Sequence, residues 1–293
     1  MPRTADAKPF TKPLWYWVLL IVLVAVIALT AVPAFTVTEG HELEQPGAKD
    51  FFPGAIFGEG TLLEFNRLTL VRVVMGVALC LTVGVVASRI KIVPGRGQAL
   101  LEIVADFVRS NVAFTLLGNK NGRRFAPLLG TLFLGVLAMN LSGVIPGLNI
   151  AASSVVAVPM VFAALTYITF IGAGIREQGV GHFFASQLMP PGLPKVMYLL
   201  ITPIEFLSNF IVRPVTLTLR LLCNMVSGHM LLGMTFFGTT SLLLHLQASS
   251  TISLLTGASM IVMTLFEVFV AVLQAYIFTI LSAVYIKLSI EAH

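Results

Sequence analysis

Arg220 lies in the middle of a long apolar stretch, and no carboxylate occurs among its helical neighbours. The stretch extends from Val196 to about Phe237. A guanidinium stays protonated at any biological pH, and its placement at the centre of a bilayer costs roughly 2.5–3.5 kcal/mol on insertion scales. Arg220 is therefore a candidate functional residue first and a packing residue second.

A second set of polar side chains lies in the next apolar stretch, Thr251–Ile286. We assume two helices that pass each other in opposite directions, with Arg220 and Gln274 at one level. His229 and Glu267 then share a second level, roughly 10–13 Å further along the helix axes. A histidine titrates near neutrality. A His–Glu pair at one depth can therefore exchange and relay protons.

Ionisable groups occur on both sides of the arginine. Glu205 is an isolated acid on the other side of Arg220, and Arg213 and Asn224 fall near the same helical face as Arg220. This arrangement predicts two aqueous half-paths separated by a fixed positive charge, which would repel H₃O⁺. A proton could then cross only on a mobile carboxylate. The chain offers no such carrier, so the carrier would belong to a partner.

These residues must be positioned by membrane helices. The chain has 293 residues, of which 57% are hydrophobic and 11% are charged, a composition typical of an integral membrane protein. A membrane span needs about 20 apolar residues, and helices are expected because lipid satisfies no backbone polar group. Six apolar runs are long enough: Leu14–Phe35, Leu68–Ser88, Phe125–Ile145, Ser153–Ile175, Val196–Phe237 and Thr251–Ile286.

The last two runs are longer than one perpendicular span requires. As single helices they would measure about 63 and 54 Å, whereas the hydrocarbon core is about 30 Å thick. Neither run has a central turn signal, so we expect two long, tilted, antiparallel helices. A further segment, Gln98–Leu117, is amphipathic and predicts a helix lying on the membrane surface. The fold class is thus an all-α polytopic membrane protein with about six hydrophobic helices.

The charge distribution predicts the orientation of these helices. With the N-terminus inside, 13 of the 18 basic residues fall on the inner side and two on the outer side, as the positive-inside rule requires. The net charge of +5 is thus a topology signal, and no basic stripe with interleaved aromatics indicates nucleic-acid binding. We divide the chain into residues 1–66, a hydrophobic anchor or signal segment with an acidic outer loop, and residues 67–293, a channel domain.

The polar positions also carry a resemblance to a known family. The segment Arg213–His229, RPVTLTLRLLCNMVSGH, resembles the signature of the membrane-sector (Fo) a subunit of ATP synthase, and Leu273–Phe278, LQAYIF, resembles its last-helix motif. The segments Ala126–Leu128 and Met139–Leu141 resemble its middle helix. The similarity covers roughly residues 68 to 293, and it implies a proton-channel stator.

The resemblance assigns roles to individual residues. It implies that Arg220 is the stator arginine and Gln274 its partner. It also implies that Asn224, His229 and Glu267 line an outer half-channel. Two further residues match less closely: Glu205 resembles an inner-channel acid, at a spacing to Arg213 one residue longer than the usual pattern, and Arg213 is an accessory candidate.

The resemblance further implies the molecular setting. The partners would be the ring of c subunits, the b-subunit peripheral stalk and the remaining ATP synthase subunits, in the cell membrane of a bacterium. The chain would perform no covalent chemistry and would need no cofactor or metal, and the choice between H⁺ and Na⁺ stays open. Two alternatives remain from the residues alone: a stand-alone secondary transporter or cation channel, and a structural membrane scaffold.

Overall fold

The computed structural model describes residues 55–57, 65–91, 93–145, 155–188, 195–244 and 250–290. The hydrophobic run Leu14–Phe35 lies outside these ranges. Helices account for nearly all of the described chain, which confirms the all-α prediction. The exception is one short antiparallel strand pair, β1 (Ala55–Phe57) and β2 (Phe65–Asn66), which immediately precedes the first described helix.

Eight α-helices follow in the described ranges, and two π-helical turns interrupt the series. Five stretches within them are long and apolar enough to cross a membrane: Leu68–Ser88, Gly97–Leu141, Ala157–Gln178, Met197–Thr235 and Ile261–Ile290. The α-helices are α1 (Arg67–Ser88), α2 (Arg96–Val108), α3 (Thr115–Leu141), α4 (Ala157–Gln178), α5 (Val180–Leu188), α6 (Lys195–Phe206), α7 (Arg213–Leu244) and α8 (Ser250–Ile290). The π-helical turns are Arg109–Phe114 and Leu207–Val212.

The amphipathic segment predicted at Gln98–Leu117 forms α2 and the π-helical turn that follows it. Val108 of α2 is buried in the core and Val104 packs against it, and the ring of Phe107 contacts the rings of Phe133 on α3 and Tyr276 on α8. Beyond the π-helical turn, α3 is kinked at Gly118, which adopts a positive φ of 71°, a conformation that residues with a Cβ rarely adopt. Placement of α2 on the membrane surface remains a prediction.

The second half of α8 is the central element of the fold. It packs against α3, α4 and α7, and small side chains such as Ala271, Ala275 and Ala283 are completely buried there. Ser282 on α8 lies 3.0 Å from Thr166 on α4, hydroxyl to hydroxyl. Small residues let membrane helices approach closely, and hydroxyls add hydrogen bonds between them. The composition of α8 thus explains how three helices pack around it.

Two contacts show that α7 and α8 run antiparallel. The guanidinium of Arg213 lies 5.5 Å from the ring centroid of Tyr285, and Asn224 hydrogen-bonds Gln274. Eleven positions separate the two α7 residues, and eleven separate their partners on α8 in the opposite direction. Each of the two long runs is one continuous helical stretch and no hairpin, as the absence of central turn residues predicted.

We expect Gly174→Ala to destabilise the packing of α4 against α5 and α8. A Cβ at Gly174 would overlap the ring of Phe183 and the hydroxyl of Ser289, and Phe183 is completely buried. Overpacking of this kind costs about 1–3 kcal/mol. The melting temperature of the detergent-solubilised chain should fall.

Gly172→Ala is the matched control for this change. It places the same methyl group on the same helix, where nothing lies within 4 Å. Equal melting temperatures for the two variants would contradict the predicted overlap.

Candidate functional site

Arg220 lies on the exposed face of α7. The opposite face, which includes Leu217, Leu221 and Met225 at every fourth position, is buried against the rest of the helices. Arg220 shares the exposed face with Cys223 and Ser227. Among the residues that the structure describes, no carboxylate forms an ion pair with Arg220. Its charge therefore faces outward from the chain on an otherwise largely apolar surface.

Gln274 is held by Asn224. The Asn224 side-chain amide donates from Nδ2 to Gln274 Oε1 at 2.7 Å, and Gln274 is almost completely buried. Gln274 thus lies level with Asn224, one helical turn or about 6 Å beyond Arg220. The register assumed from the sequence, with Gln274 at the level of Arg220, therefore differs from the observed one by this turn. The difference arises because side chains on facing helices pair according to the interhelical register, which the sequence does not contain.

Glu267 approaches the backbone of α7 at Gly228. The side chain is 5% exposed, and its Oε1 would lie 3.1 Å from a Cβ at Gly228. His229 is the next residue on α7, so Glu267 and His229 occur at one level, as the sequence predicted. Within the described ranges, the second carboxylate oxygen of Glu267 is buried with no hydrogen-bond partner.

Glu205 is anchored at the end of α6. Asn209, which lies in the π-helical turn Leu207–Val212, donates from Nδ2 to Glu205 Oε2 at 3.1 Å and to the Gln187 carbonyl at 2.9 Å. Gln187 on α5 in turn donates to the Leu288 carbonyl of α8 at 3.5 Å. The Glu205 carboxylate is therefore connected to the end of α8 by hydrogen bonds from the amide side chains of Asn209 and Gln187.

Arg213 lies between the Glu205 cluster and Arg220. Its guanidinium is stacked over Tyr285, and Tyr167 on α4 is close enough to interact with its charge. The Arg213 Nη1 and the Tyr167 hydroxyl are both buried, and neither has a hydrogen-bond partner among the described residues. The Arg213 guanidinium therefore lies among polar side chains in the interior, and the Arg213 side chain does not extend along the helix to the surface.

The structure thus forms two polar clusters on opposite sides of the level of Arg220. The outer cluster comprises Asn224, Gln274, His229 and Glu267. The inner cluster comprises Glu205, Asn209, Gln187, Arg213, Tyr167 and Tyr285. No group of three His, Cys, Asp or Glu side chains that could hold a metal ion occurs in the described ranges.

Sequence reasoning missed four members of the inner cluster. Asn209 was detectable, because it is a lone amide in an apolar run at four positions from Glu205. Gln187, Tyr167 and Tyr285 gave no comparable signal. They belong to other helices, and a single sequence does not show which helices pack together.

We expect Asn224→Leu to destabilise the contact between α7 and α8. The substitution leaves the buried Gln274 Oε1 without the Asn224 amide that donates to it, and an unpaired buried polar group costs about 1–3 kcal/mol. The double variant Asn224→Leu/Gln274→Leu removes both polar groups and should melt at a higher temperature than Asn224→Leu alone.

Ser227→Ala serves as the control for this comparison, because within the described ranges the Ser227 hydroxyl bonds only backbone carbonyls of its own helix. It should leave the melting temperature of the solubilised chain nearly unchanged. A double variant less stable than Asn224→Leu would contradict the argument.

Comparison with known proteins identifies the family. The family model described as ATP synthase A chain matches residues 69–287. ATP synthase subunit a of Rhodococcus erythropolis is 37% identical over 262 residues, which cover 88% of this chain and 94% of the relative. The subunits a of Parafrankia sp. and Frankia alni are 41% and 43% identical, over 69% and 68% of this chain and 68% of each relative. The chain belongs to the ATP synthase subunit a family.

Proposed function

We propose that this chain is the stator subunit that passes protons through two half-channels to and from carboxylates of a rotating c ring. One observation carries the proposal. An exposed guanidinium, which no described residue neutralises, lies at a level between two clusters that contain buried polar atoms without a hydrogen-bond partner in the described part of the chain. Buried polar atoms in proteins bond either a protein group or water. Water reaching each cluster would form the two half-channels.

The outer half-channel would be lined by His229, Glu267, Asn224 and Gln274. Glu267 is a buried carboxylate with one unpaired oxygen, and His229 lies at its level. A carboxylate and an imidazole can both take up and release protons near neutral pH. Gln274 Nε2 is a buried donor with no partner among the described residues, and it would bond water in the same path.

The inner half-channel would be lined by the cluster around Glu205 and Arg213. Asn209 Oδ1, Arg213 Nη1 and the Tyr167 hydroxyl are all buried and unpaired within the described ranges. These atoms provide both acceptors and donors for water. Glu205, at the end of the cluster away from Arg220, is the acid at which a departing proton would be received.

Arg220 would separate the two paths and meet the carrier. Its exposed helix face also presents Leu219, Leu231 and Met234, which form a surface suited to another membrane helix. A carboxylate 4 Å from the guanidinium would be attracted by about 4 kcal/mol at an effective dielectric constant near 20. The arriving deprotonated carboxylate of a c subunit would be held there, and free H₃O⁺ would be repelled.

The family places the chain in an assembly and a membrane. We propose that residues 67–293 form the channel domain and that it assembles with the c ring, the b-subunit stalk and the other ATP synthase subunits. The chain itself would be non-catalytic, and the assembly would lie in a bacterial cell membrane. The exposed apolar faces of α1 and of the first half of α8 fit contact with lipid or with partner helices.

We expect Arg220→Ala to abolish ATP-driven proton pumping, because the arriving carboxylate would lose its counter-charge. The measurement is dye quenching in inverted membrane vesicles that hold the assembled complex. Arg123→Ala, an exposed arginine on α3, is the control and should pump at the wild-type rate. Wild-type pumping by Arg220→Ala would refute the stator role, and proton transport by the purified chain alone would support an independent transporter.

We expect Glu267→Gln to slow proton flow by about tenfold or more, because an amide of the same shape cannot release a proton. Passive proton conductance of vesicles stripped of the peripheral ATPase measures this path directly. Glu102→Gln makes the same chemical change at an exposed position of α2 and should leave the proton conductance unchanged. Unaltered conductance in Glu267→Gln vesicles would remove Glu267 from the proton path.

A further inference from the structure

The π-helical turn between α6 and α7 contains one more residue than an α-helical turn. The Arg213 N–H donates to the Ser208 carbonyl, five positions back, where an α-helix would use a carbonyl four positions back. Pro214 follows directly and has no N–H, so it cannot continue the α-helical bonding to the Phe210 carbonyl. The proline thus favours a widened turn at this place.

The extra residue changes which side chains share a face. Glu205 and Arg213 are eight positions apart, so in an uninterrupted α-helix they would point about 80° apart. A turn that absorbs one residue leaves an effective separation of seven, which brings them within about 20°. Arg220 follows Arg213 by another seven positions. Glu205, Arg213 and Arg220 therefore lie close to a single line along the helix.

Asn209, which lies within the turn, stabilises the position of Glu205 by hydrogen bonds. It is 3% exposed, and its amide nitrogen bonds both the Glu205 carboxylate and the Gln187 carbonyl. The first bond fixes the carboxylate, and the second fixes the turn to α5. Among the described residues, these are the only side-chain hydrogen bonds that reach Glu205 or Asn209. Removal of the amide would release the carboxylate without changing its charge.

We infer that Asn209 is a positioning residue and that the π-helical turn Leu207–Val212 sets the register in which Glu205 faces the inner proton path. The inference rests on the proposed function, because Glu205 is the group that is positioned. Asn209 itself does not take up or release a proton. Asn209 acts through Glu205, and the turn acts by aligning Glu205 with Arg213 and Arg220.

A double-mutant cycle tests the role of Asn209. Asn209→Leu, Glu205→Gln and the double variant are measured for ATP-driven pumping in vesicles, with assembly checked by co-purification of the c ring. Asn209→Leu should lower pumping by about tenfold, the loss expected for one hydrogen bond to a charged group. In the Glu205→Gln background the same change should have no further effect, because coupled residues are non-additive.

The outcomes separate this inference from the proposed function. Additive losses, or wild-type pumping by Asn209→Leu alongside a defective Glu205→Gln, overturn the positioning role. Wild-type pumping by Glu205→Gln itself removes Glu205 from the proposed function. If Asn209→Leu fails to assemble, Asn209→Ser enters the same cycle with the same criterion, since its shorter side chain cannot bridge Glu205 and the Gln187 carbonyl.

A pair of length variants tests the register. Deletion of Ile211, an exposed residue of the turn, removes the extra residue and should convert the turn to an α-helix with Glu205 still aligned. Insertion of an alanine after Ile211 should instead rotate Glu205 by about 100°. We expect the deletion variant to pump at least tenfold faster than the insertion variant. Equal loss in both assembled variants would overturn the register assignment, since an uninterrupted helix is rotated equally by either change.

Discussion

An unneutralised guanidinium on an apolar helix face is the constraint on which the rest of the site depends. Arg220 is exposed on the surface of the chain, and no described acid pairs with it. Within a membrane its charge would therefore be uncompensated by the described part of the chain. Such a charge is costly in lipid, and intramembrane charges pair with another group or face water. An exposed charge of this kind fits the proposed interface, whose other side would supply a carboxylate.

The same constraint explains why α8 carries small residues. Polar atoms on either side of Arg220 stay within reach of each other only if α7 and α8 approach closely. Gly228 brings the backbone of α7 against Glu267, and the buried alanines of α8 keep its axis near α3, α4 and α7. Close packing also buries Gln274 and Glu267 within the chain.

Much of this could be predicted from the sequence. Six apolar runs, the length of the last two and the common level of His229 and Glu267 all follow from hydropathy and helical geometry. The described helices agree with the last five runs and with the common level, and the first run lies outside the described residues. The pairing of Gln274 with Asn224 could not be predicted, because register depends on how two surfaces interlock. The contributions of Tyr167 and Gln187 depend on which helices become neighbours, and a single sequence lacks that information.

Glu205 shows how a spacing can mislead when a helix is assumed to be regular. The resemblance places this acid one residue further from Arg213 than the family pattern, and in a straight helix that residue would turn the carboxylate away by about 100°. In the structure the π-helical turn before Pro214 accommodates the extra residue, and Asn209 in that turn donates a hydrogen bond to the Glu205 carboxylate. The extra residue in the sequence therefore does not turn Glu205 away from the line of Arg213 and Arg220. The change in local winding keeps Glu205, Arg213 and Arg220 near one line along the helix, and the adjacent proline supplies the physical reason for the change.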